Sequence, residues 1–225
     1  MRTHCNARST RSDRRQRRVI AVHIEIREEG PDALAEYASV PIAFRVMETL
    51  DLDAVPTPGR AFEMRTRPVT KPTMKDYDAQ PGNSPMDWPA RFDLSGWGIL
   101  GAHSNGQRIG GAIVTPGPWI DAPTRSDTPD VYEVFAILRD IRIAPAFRRR
   151  GVGGALLAAT EAWAYARGAR VLEVETQQIN VAACRFYARR GFELQGVNRD
   201  AYPDLRDEVQ LLWRKRLAVS DASLV

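Results

Sequence analysis

Two cysteines, Cys5 and Cys184, and three histidines, His4, His23 and His103, are all that 225 residues offer to thiolate or imidazole chemistry. Two thiols cannot build a disulfide framework or a four-thiolate metal centre. The histidines are scattered and make no cluster with cysteine or carboxylate at ligand spacing, so no metal site is expected. No stretch approaches the roughly 18 to 20 apolar residues that cross a bilayer as a helix, so no membrane partner is expected. Apolar residues at 44% and charged residues at 27% lie close to globular averages, which excludes a mostly disordered or fibrous chain. A reducing, cytoplasmic setting is the default expectation.

The net charge of +4 is unevenly placed. Residues 1–18 hold seven arginines and one acid, a local +6 that leaves the rest of the chain at −2. A run this basic and this poor in apolar residues cannot pack, so residues 1–18 read as a disordered, solvated extension. The competing reading is an arm for nucleic acid or an anionic surface, but no aromatics are interleaved for base stacking, and nucleic acid is not the expected partner. The segment is no secretory signal, because His23 and Glu25 cut short the apolar run that begins at Val19. In a source with organelles it fits a transit peptide. Residues 19–217 then read as one domain, and residues 218–225 as a tail.

Periodicity divides that domain. Residues 19–27 alternate as a first strand, Gly30-Pro31-Asp32 opens a short helix through Leu34 and Tyr37, and residues 41–50 read as a second strand. From residue 57 to 93 prolines interrupt every pattern, and an irregular segment of that length is usually functional or mobile. Residues 97–103 and 107–114 flank Ser104-Asn105-Gly106, a strong hairpin signal because both central residues need positive φ. A Pro- and Asp-containing stretch, residues 116–130, leads to a strand at 131–143. A helix at 152–167 is closed by Gly168, and a strand follows at 171–176. A helix at 181–190, capped by Asn180, ends at Gly191, and two last strands lie at 192–196 and 208–214. Strand, helix, strand, helix, strand is an α/β pattern with a parallel crossover.

The sharpest motif is Arg148-Arg149-Arg150-Gly151-Val152-Gly153-Gly154, between a strand and an amphipathic helix. A helix start offers unsatisfied N–H groups and the positive end of its dipole, glycines admit a phosphate closely, and the arginines suit a polyanion. No Gly-Lys-Ser/Thr follows, so this is not a nucleotide-hydrolase P-loop, and the glycine spacing does not fit the dinucleotide fingerprint. What remains is strand, R-x-x-G-x-G, helix. That pattern resembles motif A of the GNAT acyl-CoA N-acetyltransferase superfamily, with Arg148, Gly151 and Gly153 in its defining positions. The stretch from Asn180 through Ala183 and Tyr187 to Gly191-Phe192 is similar to the superfamily's N-x-x-A-x-x-x-Y-x-x-x-G-F. Glu175 to Asn180, Tyr202-Pro203-Asp204 and Asp207 to Leu211 resemble streptothricin-acetyltransferase-like members.

The resemblance implies a mixed α/β fold: a central sheet of six to seven strands, two of them splayed at a cofactor cleft, with helices on both faces. It implies acetyl-CoA as cofactor. Pantetheine contacts would come from Ile141, Arg142 and Ile143, with the backbone of Ile141 and Ile143 bonding its amides. The diphosphate would lie on Arg148, Arg149, Arg150, Gly151, Val152, Gly153 and Gly154. Asn180 and Ala183 would lie near the pantetheine arm, and Tyr187 near the thioester sulfur. An alkyl amine of pKa near ~10.4 must lose a proton before attack, and a departing thiolate of pKa ~8.5 benefits from a proton donor. Tyr187 is the expected acid. The base is expected to be Asp140 or Glu175, the latter sharing a strand face with Glu173, and the residues do not separate them. The expected activity is acetyl transfer to a small-molecule primary amine, a streptothricin-like antibiotic, polyamine or amino acid, by direct attack in a ternary complex. Acceptor specificity would come from residues 57–93, 116–130 and the region around Tyr202. The alternatives are a protein lysine or N-terminal acetyltransferase and a non-catalytic CoA-binding protein. A homodimer remains an option.

Overall fold

The computed structural model describes residues 22–52, 64–117, 134–205 and 207–218. The arginine-rich residues 1–18, most of the 116–130 stretch, and all of the 218–225 tail after its first residue lie outside them. Chain order is β1 (Glu25–Glu29), α1 (Leu34–Ala38), β2 (Phe44–Leu50), β3 (Thr66–Lys75), β4 (Gly98–Ser104), β5 (Gln107–Pro116) and β6 (Phe135–Ile143). Then come α2 (Val152–Ala166), β7 (Val171–Gln177), α3 (Val181–Arg189), β8 (Glu193–Asn198) and β9 (Gln210–Arg216).

Seven strands form one mixed sheet in the order β1-β4-β5-β6-β7-β9-β8, with β6 and β7 its parallel pair. The parallel pair follows from the crossover through α2, since such a connection returns the chain in the same direction. The hairpin expected at Asn105-Gly106 joins β4 to β5, with φ of 51° and 77° at its centre. Both of these strands are buried on both faces. One face carries a core in which Leu156, Leu157 and Trp163 of α2 meet Leu138, Leu172, Leu211 and Trp213, together with Val181, Cys184 and Tyr187 of α3. Fully burying a large apolar side chain of this kind contributes about 1.5–3 kcal/mol. The other face carries a smaller cluster, where Leu34 and Tyr37 of α1 pack with Trp88, Leu94, Ile99 and Ile113. Helices therefore cover both faces.

Several boundaries differ from the sequence reading. The first strand begins at Glu25, with Val22 to Ile24 outside it, and the second begins at Phe44. The segment from 57 to 93 is not irregular throughout, because β3 lies within it and pairs with β2 in a separate two-stranded ribbon. Pro68 and Pro72 are tolerated there because each strand of a two-stranded ribbon has a free edge that needs no N–H. Gly168, read as the left-handed cap of α2, has φ of 90°.

Candidate active site

β6 and β7 run side by side only from Phe135↔Val171 to Leu138↔Val174, although β6 continues to Ile143 and β7 to Gln177. Beyond that point the strands part. On its other side β6 stays paired with β5, and a register shift between Ile113 and Val114 leaves Arg139 as an extra residue. Ala144 N–H donates to the Ile109 carbonyl at 2.9 Å. Antiparallel pairing alternates, so Arg142 bonds toward β5 while Ile141 turns its N–H and C=O groups, and Ile143 its N–H, into the opening. Arg148 Nε takes the Ile143 carbonyl at 3.0 Å, and its Nη2 reaches the Pro41 and Ala43 carbonyls at 3.3 Å each. Arg148 thus fastens the end of β6 to the chain entering β2. The side chain of Arg142 turns to the α1 face of the sheet, where Tyr37, the Val40 carbonyl and Asp78 meet it.

The motif between β6 and α2 has an unusual backbone. Arg149 has φ of 61°, rare for a residue with a Cβ, and Gly151 has φ of 92° at the N-cap. Successive turn residues of this kind point neighbouring N–H groups inward to form an anion cradle. No side chain caps α2, so the amides of its first turn stay open. The other two glycines have a different use. A Cβ on Gly154 would overlap the Arg190 guanidinium, and one on Gly153 would touch Phe186 at 3.5 Å. Phe186 and Arg190 belong to α3 and its cap, with the guanidinium 5.5 Å from the Phe186 ring centre. A cation from α3 is thereby held against the start of α2, and sequence reading missed it.

α3 begins with the Asn180 side chain accepting from Ala183 N–H at 3.2 Å. That bond fixes Asn180 at the end of β7 beside the opening. Tyr187 packs edge-on between Phe186 and Phe192, with ring centres 5.2 and 5.3 Å away. Burial, and after it the charge of Asp140, pushes its ionisation far above the ordinary tyrosine range, so its hydroxyl remains a proton carrier. Tyr77 lies close enough to add to that effect, and its own ionisation is raised by burial while a hydrogen bond from Asn180 eases it. Cys184 is buried and its thiol is pushed up to about 11 by that burial.

The carboxylates named from sequence have unlike surroundings. Asp140 has a side chain only 7% exposed and accepts from Arg142 at 2.6 and 3.0 Å and from the Tyr37 hydroxyl at 2.6 Å. Arg142, wholly buried, also holds Asp78 at 2.9 and 3.1 Å and the Val40 carbonyl at 3.2 Å. Desolvation works against that charge, but hydrogen bonds to Asp140 and Asp78 and the charge of Asp140 more than offset it. Glu175 is exposed and is the first residue of β7 past its last partner on β6. Its carboxylate accepts a short hydrogen bond from the Tyr202 hydroxyl and another from Gln210 Nε2 at 2.7 Å. Glu173 is tied to Arg214 at 2.7 Å. Glu175 and Asn180 near the end of β7 and the backbone of Ile141 therefore lie where the strands part, and Tyr187 is near enough to Asp140 to feel its charge. Tyr37, Tyr77 and Asp78, which sequence reading gave no role, close that place from the α1 side.

The acetyltransferase (GNAT) family profile matches residues 65–192. Streptothricin acetyltransferase A of Bacillus subtilis (strain 168) is 36% identical over 81 residues, 35% of this chain and 47% of that protein. Streptothricin acetyltransferase of Escherichia coli is 27% identical over 186 residues, 81% of this chain and 91% of that protein. Among solved structures, one assigned as a streptothricin acetyltransferase from Bacillus anthracis str. Ames, in complex with acetyl coenzyme A, superposes with a TM-score of 0.67. It is 24% identical, over 86% of this chain and 99% of that one, a likeness of fold.

Proposed function

Because the chain belongs to the acetyltransferase (GNAT) family and is an acetyl-CoA-dependent N-acetyltransferase, we propose that it acetylates a small cationic amine of the streptothricin kind. The observation that carries this reading is the convergence at one opening: the anion-receiving turn before α2 at one end, and the exposed Glu175 with Tyr202 on the acceptor face. The likeness to streptothricin acetyltransferase of Escherichia coli over most of both chains supports the acceptor class. So does charge. Residues 76–93 hold Asp76, Asp78, Asp87 and Asp93 against Arg91 alone, and residues 198–208 hold four acids against Arg199 and Arg206. Acidic segments beside a cleft draw a polycation toward it.

Acetyl-CoA, when bound, supplies an acyl group on a good leaving thiolate. The residues do the rest. Main-chain amides from Arg149 to Gly154 hold the diphosphate, and Ile141 and Ile143 hold the pantetheine amides as strand partners would. Glu175 takes the proton from an ammonium that arrives mostly charged at neutral pH. Asp140, locked by Arg142 and Tyr37, orders the wall of the cleft. Tyr187, kept protonated by its burial, hands its proton to the departing sulfur. No covalent enzyme intermediate is needed, since Cys184 is buried as a thiol. Residues 19–217 form the one domain of this reading, and a cytoplasmic setting, which keeps both thiols reduced, belongs to it.

The test is free-thiol release from acetyl-CoA across streptothricin, spermidine, L-lysine and a lysine-containing peptide. Turnover that is fastest on streptothricin supports the reading. Turnover on the peptide alone would replace it with protein acetylation. Thiol release that is unchanged in Tyr187→Phe at saturating acetyl-CoA would remove the acid from this account.

A further inference from the structure

Glu175 stands at the opening as a base with neither oxygen bare: Oε1 accepts from Tyr202 and Oε2 from Gln210. An ammonium arriving there meets the Tyr202 phenol oxygen as readily as the carboxylate. Tyr202 is well fixed for that encounter. The Gln178 amide grips the C-terminal limb of its loop, donating to the Asp207 carbonyl at 2.6 Å and accepting from Val209 N–H at 2.7 Å. Lys75 ties the same loop to β3 through Glu208 at 2.7 Å, and the Tyr202 carbonyl accepts from Leu205 N–H at 3.0 Å. Such anchoring exceeds what a solvated loop tyrosine needs.

We propose that Tyr202 is a catalytic residue that relays the acceptor's proton to Glu175. The inference rests on the amine-acetylating reading above. An N–H bond of the ammonium breaks as an O–H bond forms on Tyr202 Oη. In the same motion the original Tyr202 O–H bond breaks and an O–H bond forms on Glu175 Oε1. The ammonium becomes an amine with its lone pair free, the carboxylate becomes a carboxylic acid, and the phenol is regenerated, with no change in oxidation state. Burial, then the charge of Glu175, raises Tyr202 ionisation far above the ordinary range, so the phenol is intact at working pH. The charged and titratable groups facing the pair are Arg139 from β6 and Tyr77 from the segment after β3, and the neutral Gln177 side chain hydrogen-bonds the phenol. None of them intervenes in the hydrogen bond between Tyr202 and Glu175.

The test is steady-state acetylation of streptothricin by the full chain at saturating acetyl-CoA, from pH 6.5 to 9.5. It compares wild type, Tyr202→Phe, Glu175→Gln and the double variant, with thermal melts confirming folding. At pH 7 Tyr202→Phe is expected to lose about 100-fold in kcat, the low end for general acid–base catalysis, with KM for streptothricin within about twofold. The deficit should shrink steadily toward pH 9.5, where more of the amine arrives neutral. The double variant should be no slower than Glu175→Gln, because the two act as one unit. A Tyr202→Phe variant within about twofold of wild type at pH 7 overturns the relay. So does a deficit equal at every pH, which marks a structural strut, and so do fully additive losses. Should the wild-type chain ignore streptothricin, the acceptor assignment falls instead, and the same series is run on the fastest amine of the panel.

Discussion

The Arg142 guanidinium closes on the Asp140 carboxylate at 2.6 and 3.0 Å, with its other arm on Asp78, in a side chain that has no solvent exposure. Asp140 and Arg142 share a face of β6, and the extra residue at Arg139 sets which face that is. Removing the cation would strand two carboxylates in poorly hydrated surroundings, and breaking a buried pair from one side typically costs about 3–5 kcal/mol. Arg142→Ala should therefore lower unfolding free energy by that amount in a urea titration. A loss under about 1 kcal/mol would show that Asp140 and Asp78 do not depend on this cation.

Arg190 should be felt by the cofactor. Its guanidinium rests against Gly154 at the start of α2 with no ion-pair partner among the described residues. A charge-assisted bond to phosphate contributes about 1.5–3 kcal/mol. Arg190→Ala is predicted to weaken coenzyme A binding about tenfold or more in calorimetry, with melting temperature nearly unchanged. Equal affinity in the variant would make Arg190 only a cation at the C-terminal end of α3.

Cys184 is predicted to stay silent. With its thiol pushed up to about 11 by burial, little thiolate exists at pH 8. Iodoacetamide at that pH should leave Cys184 unmodified in native protein and alkylate it in denaturant, as read by peptide mass spectrometry. Cys184→Ala should keep kcat. Labelling of the native thiol, or lost turnover in a folded variant, would point to a covalent route.

Alkaline pH should expose the buried phenols. Burial leads the upward shift at Tyr37, Tyr77, Tyr187 and Tyr202, against an unfolded value near ~10. Groups with raised folded values stabilise fully below the unfolded value, and that contribution is lost as pH rises through the folded ones. Absorbance near ~295 nm should therefore show the fully enclosed Tyr37 and Tyr187 still protonated at about pH 10 and ionising only with unfolding, with the half-buried Tyr77 and Tyr202 titrating late in the native protein. Smooth titration of Tyr37 and Tyr187 near ~10 in native protein would contradict their burial.

Much of this was legible in the residues. Asn105-Gly106 marked its hairpin, Gly168 its cap, and Asn180 its helix start, because each depends on local backbone needs. The parallel β6–α2–β7 unit was legible for the same reason. Arg149 gave no such signal, since nothing in an arginine announces a left-handed backbone. Nor could the sequence separate Asp140 from Glu175. Their difference lies in Arg142 and Tyr37 on one side and Tyr202 on the other, partners up to 103 residues away. Gly153 and Gly154 looked like room for phosphate, and in the fold they also make room for Phe186 and Arg190. β3 was hidden because its prolines read as interruptions, which an isolated ribbon can hold.

The most direct measurement is a crystal structure of the chain with coenzyme A. The account predicts the diphosphate within hydrogen-bonding distance of the amides from Arg149 to Gly154, pantetheine along Ile141 and Ile143, and sulfur between Tyr187 and Glu175. A coenzyme seated elsewhere, with those amides facing only solvent, would contradict it.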